Sequence, residues 1–190
     1  VGEPCGEPAS KGEAVRTGPT AGQANDPVGV AREIALRQLT VRARTRVELA
    51  RALGRKNVPA DVAEQVLDRL TEVGLIDDAV FARDWLSAGD RRHKSRRALV
   101  GELAEKGVQR EIIDDALAEL DGDRDYLVAR GYAEKKAAAL VRVAPDVRYR
   151  RLAGALARRG FAAAVVAEVT REVLAELPDH DGLRNVPDGA

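Results

Sequence analysis

The 190-residue sequence has few of the residues on which many enzymes and many small disulfide-rich folds depend. It contains one cysteine, which excludes an internal disulfide and a cysteine-rich metal site. Aromatic residues make up only 3% of the chain, which argues against a β-sandwich. No window approaches the roughly 20 consecutive apolar residues of a membrane span, and no segment resembles a secretory signal. We therefore expect a cytoplasmic protein that does not bind membranes.

Recognisable catalytic and cofactor motifs are also missing. The two histidines, His93 and His180, lack the spacing of a zinc-binding pair, and there is neither a P-loop nor a dinucleotide-binding glycine motif. Cys5 has no neighbouring base that would make it reactive. The adjacent carboxylates of Asp77 and Asp78 could serve acid–base or metal chemistry, but their place before an apolar run favours helix capping. We expect no enzymatic activity, no cofactor and no metal site.

An apolar pattern that occurs three times is the main positive feature of the sequence. Eight positions match, without a gap, in residues 49–70, 99–120 and 152–173. Each copy has two leucines four residues apart, then a basic residue followed by glycine or asparagine. A pattern that recurs at this spacing is typical of an array of small helical units, whose usual function is to present an extended surface to a large partner.

Helical periodicity gives the predicted organisation of the chain. We predict an all-α fold, an elongated array of three tandem three-helix repeats whose units are similar to helix-turn-helix modules. The repeats occupy 28–76, 77–121 and 122–177, between a disordered leader at 1–27 and a flexible tail at 178–190. The nine predicted helices are 28–40, 45–56, 59–73, 78–89, 95–106, 109–121, 123–141, 146–159 and 162–177.

Residues that begin helices support several of these boundaries. Thr45 and Glu48 form a capping-box pattern, in which the hydroxyl accepts from a first-turn amide and the carboxylate reaches back to the cap. Pro59 suits the first turn of the third helix, which needs no amide donor there. Asp77 or Asp78 is expected to cap the fourth helix.

Glycines mark the helix ends. Gly74 is predicted to end the third helix in the left-handed conformation. Gly107 and Gly160 occupy the same position in the second and third repeats, where the second helix stops and the chain turns sharply. Asn57 has this position in the first repeat, which fits because asparagine also tolerates positive φ.

Charge is distributed unevenly although the formal net charge is zero. Net charge is +6 over residues 31–60, −5 over 61–84, +5 over 91–110 and −6 over 111–125. Residues 148–160 contain five arginines and no acidic residue. If the repeats stack in register, the basic second helices form one stripe and the acidic third helices another.

The basic second helices are the candidate partner-binding elements. One interpretation is that their charges are solvated helix faces that pair with acidic residues of the chain itself. However, residues 91–97 place a basic cluster at a helix start, where the helix dipole disfavours cations, so an anionic partner such as DNA or an acidic protein surface is favoured. The six aromatic residues fall mostly at core-like positions, which favours packing over base stacking. The candidate residues are Arg91, Arg92, Lys94, Arg96, Arg97, Lys106, Arg148, Arg150 and Arg151.

The order and spacing of several motifs resemble the RecX family of bacterial recombination regulators. The resemblance is strong over residues 31–120 and weaker to residue 177. Ser95 stands where many members have glycine or proline, and Asn57 replaces the usual glycine. The matching segments are Val66–Leu70, Gly74–Asp78, Phe81–Arg83, Glu102–Leu103, Lys106–Val108 and Ala116–Leu117, with Gly74, Asp77, Asp78, Phe81, Gly107 and Gly160 as structural motif residues.

This resemblance implies three tandem three-helix repeats that bind the RecA recombinase. RecX-like proteins lie in the groove of the RecA filament on DNA, limit its extension, and reduce ATP hydrolysis, strand exchange and co-protease activity. The family has no catalytic residues. We expect a monomer whose partner is the RecA nucleoprotein filament, with single- or double-stranded DNA as a further partner of the basic helices. The alternative is a sequence-independent DNA-binding protein that acts without RecA.

Overall fold

The computed structural model describes residues 26–177, and in this range every regular element is helical. A 3₁₀ turn at Ala138–Leu140 follows the seventh helix. Cys5, His180, the tail and the predicted leader up to residue 25 lie outside the described range. The helices are α1 (Pro27–Val41), α2 (Arg46–Gly54), α3 (Ala60–Glu72), α4 (Asp78–Arg91), α5 (Arg96–Glu105), α6 (Arg110–Ala118), α7 (Arg124–Ala137), α8 (Pro145–Ala157) and α9 (Ala163–Ala175).

The all-α prediction is confirmed, and the helices differ from the predicted ones mainly at their ends. α1 begins at Pro27, inside the predicted leader, because Asp26 accepts a hydrogen bond from the Gly29 amide at 2.8 Å and caps the helix. The predicted helix 123–141 ends early, at Ala137, where the chain tightens into the 3₁₀ turn. Pro59 is the cap of α3 rather than part of its first turn.

Each helix triplet encloses its own hydrophobic core. The helix pairs that pack extensively all belong to one triplet: α1–α3, α4–α6, or α7–α9 with the 3₁₀ turn. The leucines at the first two positions of the repeated pattern lie at the centres of these cores and are inaccessible to solvent, because the second helix turns them toward its two neighbours. They are Leu49 and Leu53, Leu99 and Leu103, and Leu152 and Leu156.

The predicted left-handed turns are present. Asn57 has φ +58°, Gly107 +81° and Gly160 +86°, so the chain leaves the second helix of each repeat by the same backbone conformation. Gly74 ends α3 with φ +72°. His93 also has a positive φ, +51°, which the sequence analysis does not predict, although histidine is enriched among the few non-glycine residues in this conformation.

No helix among residues 26–177 combines the length and the apolar character that crossing a bilayer requires.

Candidate partner interface

The second helices of the three repeats are joined end to end. The hydroxyl of Thr45, before α2, donates a 2.6 Å hydrogen bond to the carbonyl of Lys106, after α5. The amide of Ser95, before α5, donates a 3.2 Å hydrogen bond to the carbonyl of Arg159, after α8. The C-terminal end of α8 therefore meets the N-terminal end of α5, and α5 meets α2 in the same way. We call α8, α5 and α2 together the second-helix column.

Aspartates from the following repeat cap two helices of this column, α2 and α5. Asp78, the first residue of α4, accepts from the backbone amide of Arg46 at 2.9 Å. Asp125, in the first turn of α7, accepts from the amide of Arg96 at 2.8 Å. Each carboxylate satisfies a first-turn amide of another repeat's helix. Of the two aspartates expected to cap α4, Asp77 does so, accepting from the Val80 amide at 2.8 Å.

The side chain of Asp78 is partly buried at this contact, which changes its pKa. Burial raises the pKa of Asp78, and the hydrogen bond from the Arg46 amide, which favours the charged form, only partly opposes this rise. The hydrogen bond from the Arg46 amide makes this side chain a structural acceptor at the boundary between the first and second repeats.

Lys106 and Glu48 make the main ion pair between the first and second repeats. Lys106 Nζ lies 3.0 Å from Glu48 Oε1 and 4.4 Å from the centroid of the Trp85 ring. Arg42 makes two further 3.0 Å hydrogen bonds to the same carboxylate. Burial by itself would raise the pKa of Glu48, but the hydrogen bonds from Arg42 and Lys106 outweigh it and lower the pKa to about 2.

Only one of the two hydrogen bonds of the predicted capping box is present. The Thr45 hydroxyl does accept from the amide of Glu48, at 3.1 Å. The Glu48 carboxylate, however, points to Arg42 and Lys106 rather than back to the cap, because two cations are stronger partners than one amide.

A corresponding cation joins the second and third repeats. The guanidinium of Arg159 lies 4.0 Å from the centroid of Tyr132 and donates to the backbone carbonyls of Arg92 and His93. Lys106 and Arg159 occupy the same position of the repeated pattern, and each lies over an aromatic ring of its own repeat while it contacts the preceding one. Next to this contact, the buried Arg124 pairs with Asp90 across the same boundary.

Glycine is required at both boundaries because side chains of the preceding repeat lie close to its Cα atom. A Cβ atom on Gly107 would lie 2.5 Å from the side chain of Val47 in α2. A Cβ atom on Gly160 would lie 2.6 Å from Ser95 Oγ. Gly74, which has the same left-handed conformation, has no atom within 4 Å of the corresponding point. The repeat glycines therefore serve both the turn and the contact between repeats.

Several candidate partner-binding cations are used inside the chain. Arg92 and Lys94 both pair with Glu102, and Arg92 also lies 4.4 Å from the Trp85 ring centroid. Arg148 is 7% exposed and donates to the carbonyls of Val141 and Val143. With Lys106, these residues have structural roles, so we exclude them from the proposed contact surface. The side chain of Arg96 donates to the Asp121 carbonyl at 2.9 Å and is also tied to a repeat boundary.

The remaining candidate cations face solvent. Arg91, Arg97, Arg150 and Arg151 are exposed. Arg150 pairs with Asp146 at 2.9 Å on the same helix, and both side chains are at least 70% exposed. Within residues 26–177, the side chains of Arg91, Arg97 and Arg151 make neither a hydrogen bond nor an ion pair. These cations are available to an anionic partner.

The predicted separation into a basic and an acidic stripe is incomplete. Arg46 of α2 pairs with Asp68 of α3 at 2.7 Å, so a basic second helix is partly neutralised by the acidic third helix of its own repeat. Of the predicted aromatic positions, Phe81 and Phe161 are buried, whereas Tyr149 is 41% exposed.

Sequence reasoning missed the contacts between repeats. Asp125, Trp85, Tyr132 and Arg159 all take part in them, and only a comparison of the repeats position by position could have indicated their pairing. Among the residues that the structure describes, no group of three or more His, Cys, Asp or Glu side chains could hold a metal ion.

The fold and its polar boundaries define a class: a tandem array of three-helix repeats that presents cations at its surface. The family models for the first and second three-helix domains of RecX match residues 31–70 and 77–117. The chain is 43% identical to "Regulatory protein RecX" of Streptomyces coelicolor, over 80% of this chain and 81% of the relative. It is 46% identical to the protein of the same name from Mycobacterium ulcerans, over 82% and 90%. The chain belongs to the RecX family of regulatory proteins.

Solved structures agree on the fold. The crystal structure of RecX from Lactobacillus salivarius superposes with a TM-score of 0.68 at 21% identity, over 78% of this chain and 97% of that one. A second RecX crystal structure gives the same TM-score at 22% identity, over 78% and 75%. At this level of identity the likeness concerns the fold alone.

Proposed function

We propose that this chain binds along the RecA–DNA filament, in its groove, and limits filament extension, thereby lowering ATP hydrolysis, strand exchange and co-protease activity. Membership of a regulatory family supports this proposal, since the resemblance that identifies the family also implies RecA as the partner. The expected binding unit is a monomer.

The second-helix column is the observation that carries the proposal. Its three helices contain nine, ten and thirteen residues, equivalent to about 48 Å of helix at 1.5 Å per residue. Because the three helices follow one another end to end, the cations on them are spread over more than the length of one helix, which allows contact with more than one subunit of a polymer. Arg97 of α5 and Arg151 of α8 are the exposed cations of the column that we assign to this contact, together with Arg91 at the end of α4.

The direct test is inhibition of the RecA ATPase on single-stranded DNA. We expect the natural chain to inhibit at concentrations too low to coat the DNA, because it acts on the filament. Inhibition that appears only when the DNA is saturated would instead favour the alternative, competition for DNA without RecA contact. Retention on assembled filaments at low salt is the second readout, and its absence with a folded chain would contradict the proposal.

Charge reversal tests the assigned surface. The double variant Arg91→Glu/Arg97→Glu should weaken ATPase inhibition, with helicity by circular dichroism unchanged. The matched control is Arg83→Glu/Arg171→Glu, which changes the net charge equally at two exposed arginines, on α4 and α9, outside the second-helix column. Equal inhibition by both double variants would remove Arg91 and Arg97 from the contact.

A further inference from the structure

An open hollow lies at the boundary between the second and third repeats, beside α5. Small residues from both repeats line it: Ala98 and Gly101 of α5, with Ala157 and Gly160 at the end of α8. Its charged lining comes from α5 alone. We call this hollow the boundary notch.

The first boundary shows which side chain the notch lacks. In the repeated pattern, Gly101 of α5 corresponds to Arg51 of α2. Arg51 reaches across the first boundary and donates a 3.1 Å hydrogen bond to the carbonyl of Glu105, the last residue of α5. At the second boundary Gly101 has no side chain that could reach across. A Cβ atom on Gly101 would lie more than 4 Å from every described atom outside α5.

The acceptor at the second boundary is left without a donor. The carbonyl of Arg158, the residue that caps α8, corresponds to that of Glu105. Within residues 26–177 the Arg158 carbonyl accepts no hydrogen bond. The neighbouring position is also reduced in size, because Ala98 stands where the first repeat has Glu48. Both long side chains that fill the first boundary are therefore replaced by small residues at the second.

The charges around the notch favour a cation. Ala157 is the last residue of α8, so the negative end of that helix dipole opens into the notch. The lining contains two carboxylates, of Glu102 and Glu105, and one guanidinium, of Arg97. Glu102 is already paired within its own repeat, whereas the Glu105 side chain makes neither a hydrogen bond nor an ion pair among residues 26–177. Arg97 is eight residues from Glu105, about 12 Å along the helix axis, which is too far for a pair.

We propose that the boundary notch receives an arginine side chain of a protein partner, in the place that Arg51 fills at the first boundary. This assignment rests on the proposed function and deepens it, because Arg97, which we assign to the filament contact, also lines the notch. The partner is then a RecA subunit of the filament. A guanidinium has several donors in one plane and can bind more than one acceptor of the notch at once. A phosphate of DNA would instead face a carboxylate and the carbonyl end of a helix, which repel it.

The test compares two substitutions of Gly101 that add long side chains of opposite charge. Gly101→Arg supplies the guanidinium from within the chain and should raise the apparent Kd for RecA filaments on single-stranded DNA roughly tenfold, measured by co-sedimentation. Gly101→Glu should raise it less, because its carboxylate attracts the incoming arginine. The control is Gly131→Arg in the middle of α7, where a Cβ atom also lies more than 4 Å from every described atom outside that helix. Its Kd should stay within about twofold of the natural chain.

A variant that leaves the space of the notch open gives a second measurement. Glu105→Gln removes the unpaired carboxylate and keeps the shape of the side chain, so it should raise the Kd about threefold. Glu111→Gln, at an exposed position of α6, is its control and should leave the Kd unchanged. Circular dichroism checks that every variant is folded, and arginine and glutamate both favour a helix more than glycine does.

The outcomes separate this proposal from the proposed function. Retention of Gly101→Arg at the level of Gly131→Arg would overturn the notch assignment and leave the proposed function standing. A larger loss in Gly101→Glu than in Gly101→Arg would show that the occupant is an anion such as a DNA phosphate, and equal losses would show that it is uncharged. Either result would overturn the assignment of an arginine. Failure of the natural chain to bind filaments would overturn both proposals. Should the Gly101 variants not fold, unchanged retention of Glu105→Gln would overturn the notch assignment.

Discussion

Lys106 reaches across a repeat boundary to Glu48, 58 residues earlier in the chain, with Nζ 3.0 Å from Oε1. The side chains are only 19% and 15% exposed, and the ammonium also faces the Trp85 ring. A basic residue that the sequence suggested for partner binding therefore holds two repeats together.

Replacement of Lys106 by methionine should destabilise the chain. The substitution keeps the apolar stem over Trp85 but removes both the ion pair and the cation–π contact, which together should cost about 1–3 kcal/mol of unfolding free energy. Urea unfolding followed by circular dichroism measures the loss. Lys56→Met is the matched control, because Lys56 has the same pattern position in the first repeat but is exposed. Equal loss in both variants would show that the contact between repeats contributes nothing.

Acid should weaken the same boundary. Because the pKa of Glu48 is about 2 in the folded chain, against an ordinary value of 4.5, the unfolded chain takes up the proton first as the pH falls. The stabilising contribution of this carboxylate is complete above pH 4.5 and is lost as the pH falls from 4.5 toward 2. After allowance for solvent screening it amounts to about 1–2 kcal/mol.

Urea unfolding at a series of pH values measures this contribution. Glu48→Gln should be less stable than the natural chain at neutral pH, and the difference should shrink across the acid window. Glu64→Gln, at an exposed position of α3, is the control, and its free energy of unfolding should change with pH in the same way as that of the natural chain. A constant difference between Glu48→Gln and the natural chain from neutral to acid pH would contradict the lowered pKa.

Replacement of the boundary glycine Gly107 should lower the free energy of unfolding more than replacement of Gly74, a turn glycine away from the boundary. Gly74→Ala introduces backbone strain alone, about 1 kcal/mol, because its φ is positive but the surrounding space is open. Gly107→Ala adds a contact of 2.5 Å with Val47, so its loss of stability should be larger by about 1–3 kcal/mol. Thermal unfolding compares the two. Similar losses of stability in the two variants would mean that the two repeats can separate at this boundary without a loss of free energy.

Removal of a capping aspartate should loosen the helix of the neighbouring repeat. Asp78→Ala leaves the Arg46 amide without its acceptor and should cost about 1 kcal/mol, as for other N-caps. Hydrogen exchange at the Arg46 amide should accelerate, and Asp78→Asn should restore protection because the amide oxygen also accepts. Asp77→Ala, which uncaps α4, is the control. Unchanged exchange at Arg46 in Asp78→Ala would exclude the cap across the boundary.

The sequence alone predicts that the chain is helical, roughly where each helix lies, and which residues are buried inside each repeat. Helical periodicity and the leucine pairs specify which face of each second helix is buried, and positive φ at Gly107 and Gly160 follows from their place after a helix. These features depend on residues close together in the chain, so local pattern predicts them. The break after Ala137 was missed, because no proline or glycine marks it.

The sequence alone determined the helical repeats, their cores and the family resemblance, since periodic apolar residues and turn residues act over short distances. Only the tertiary structure decided which cations face solvent. Lys106 and Arg97 look alike in the sequence, yet one is held between repeats and the other is exposed. The difference depends on acids and aromatic rings that the fold brings close from distant parts of the chain, and one sequence carries no signal of those pairings.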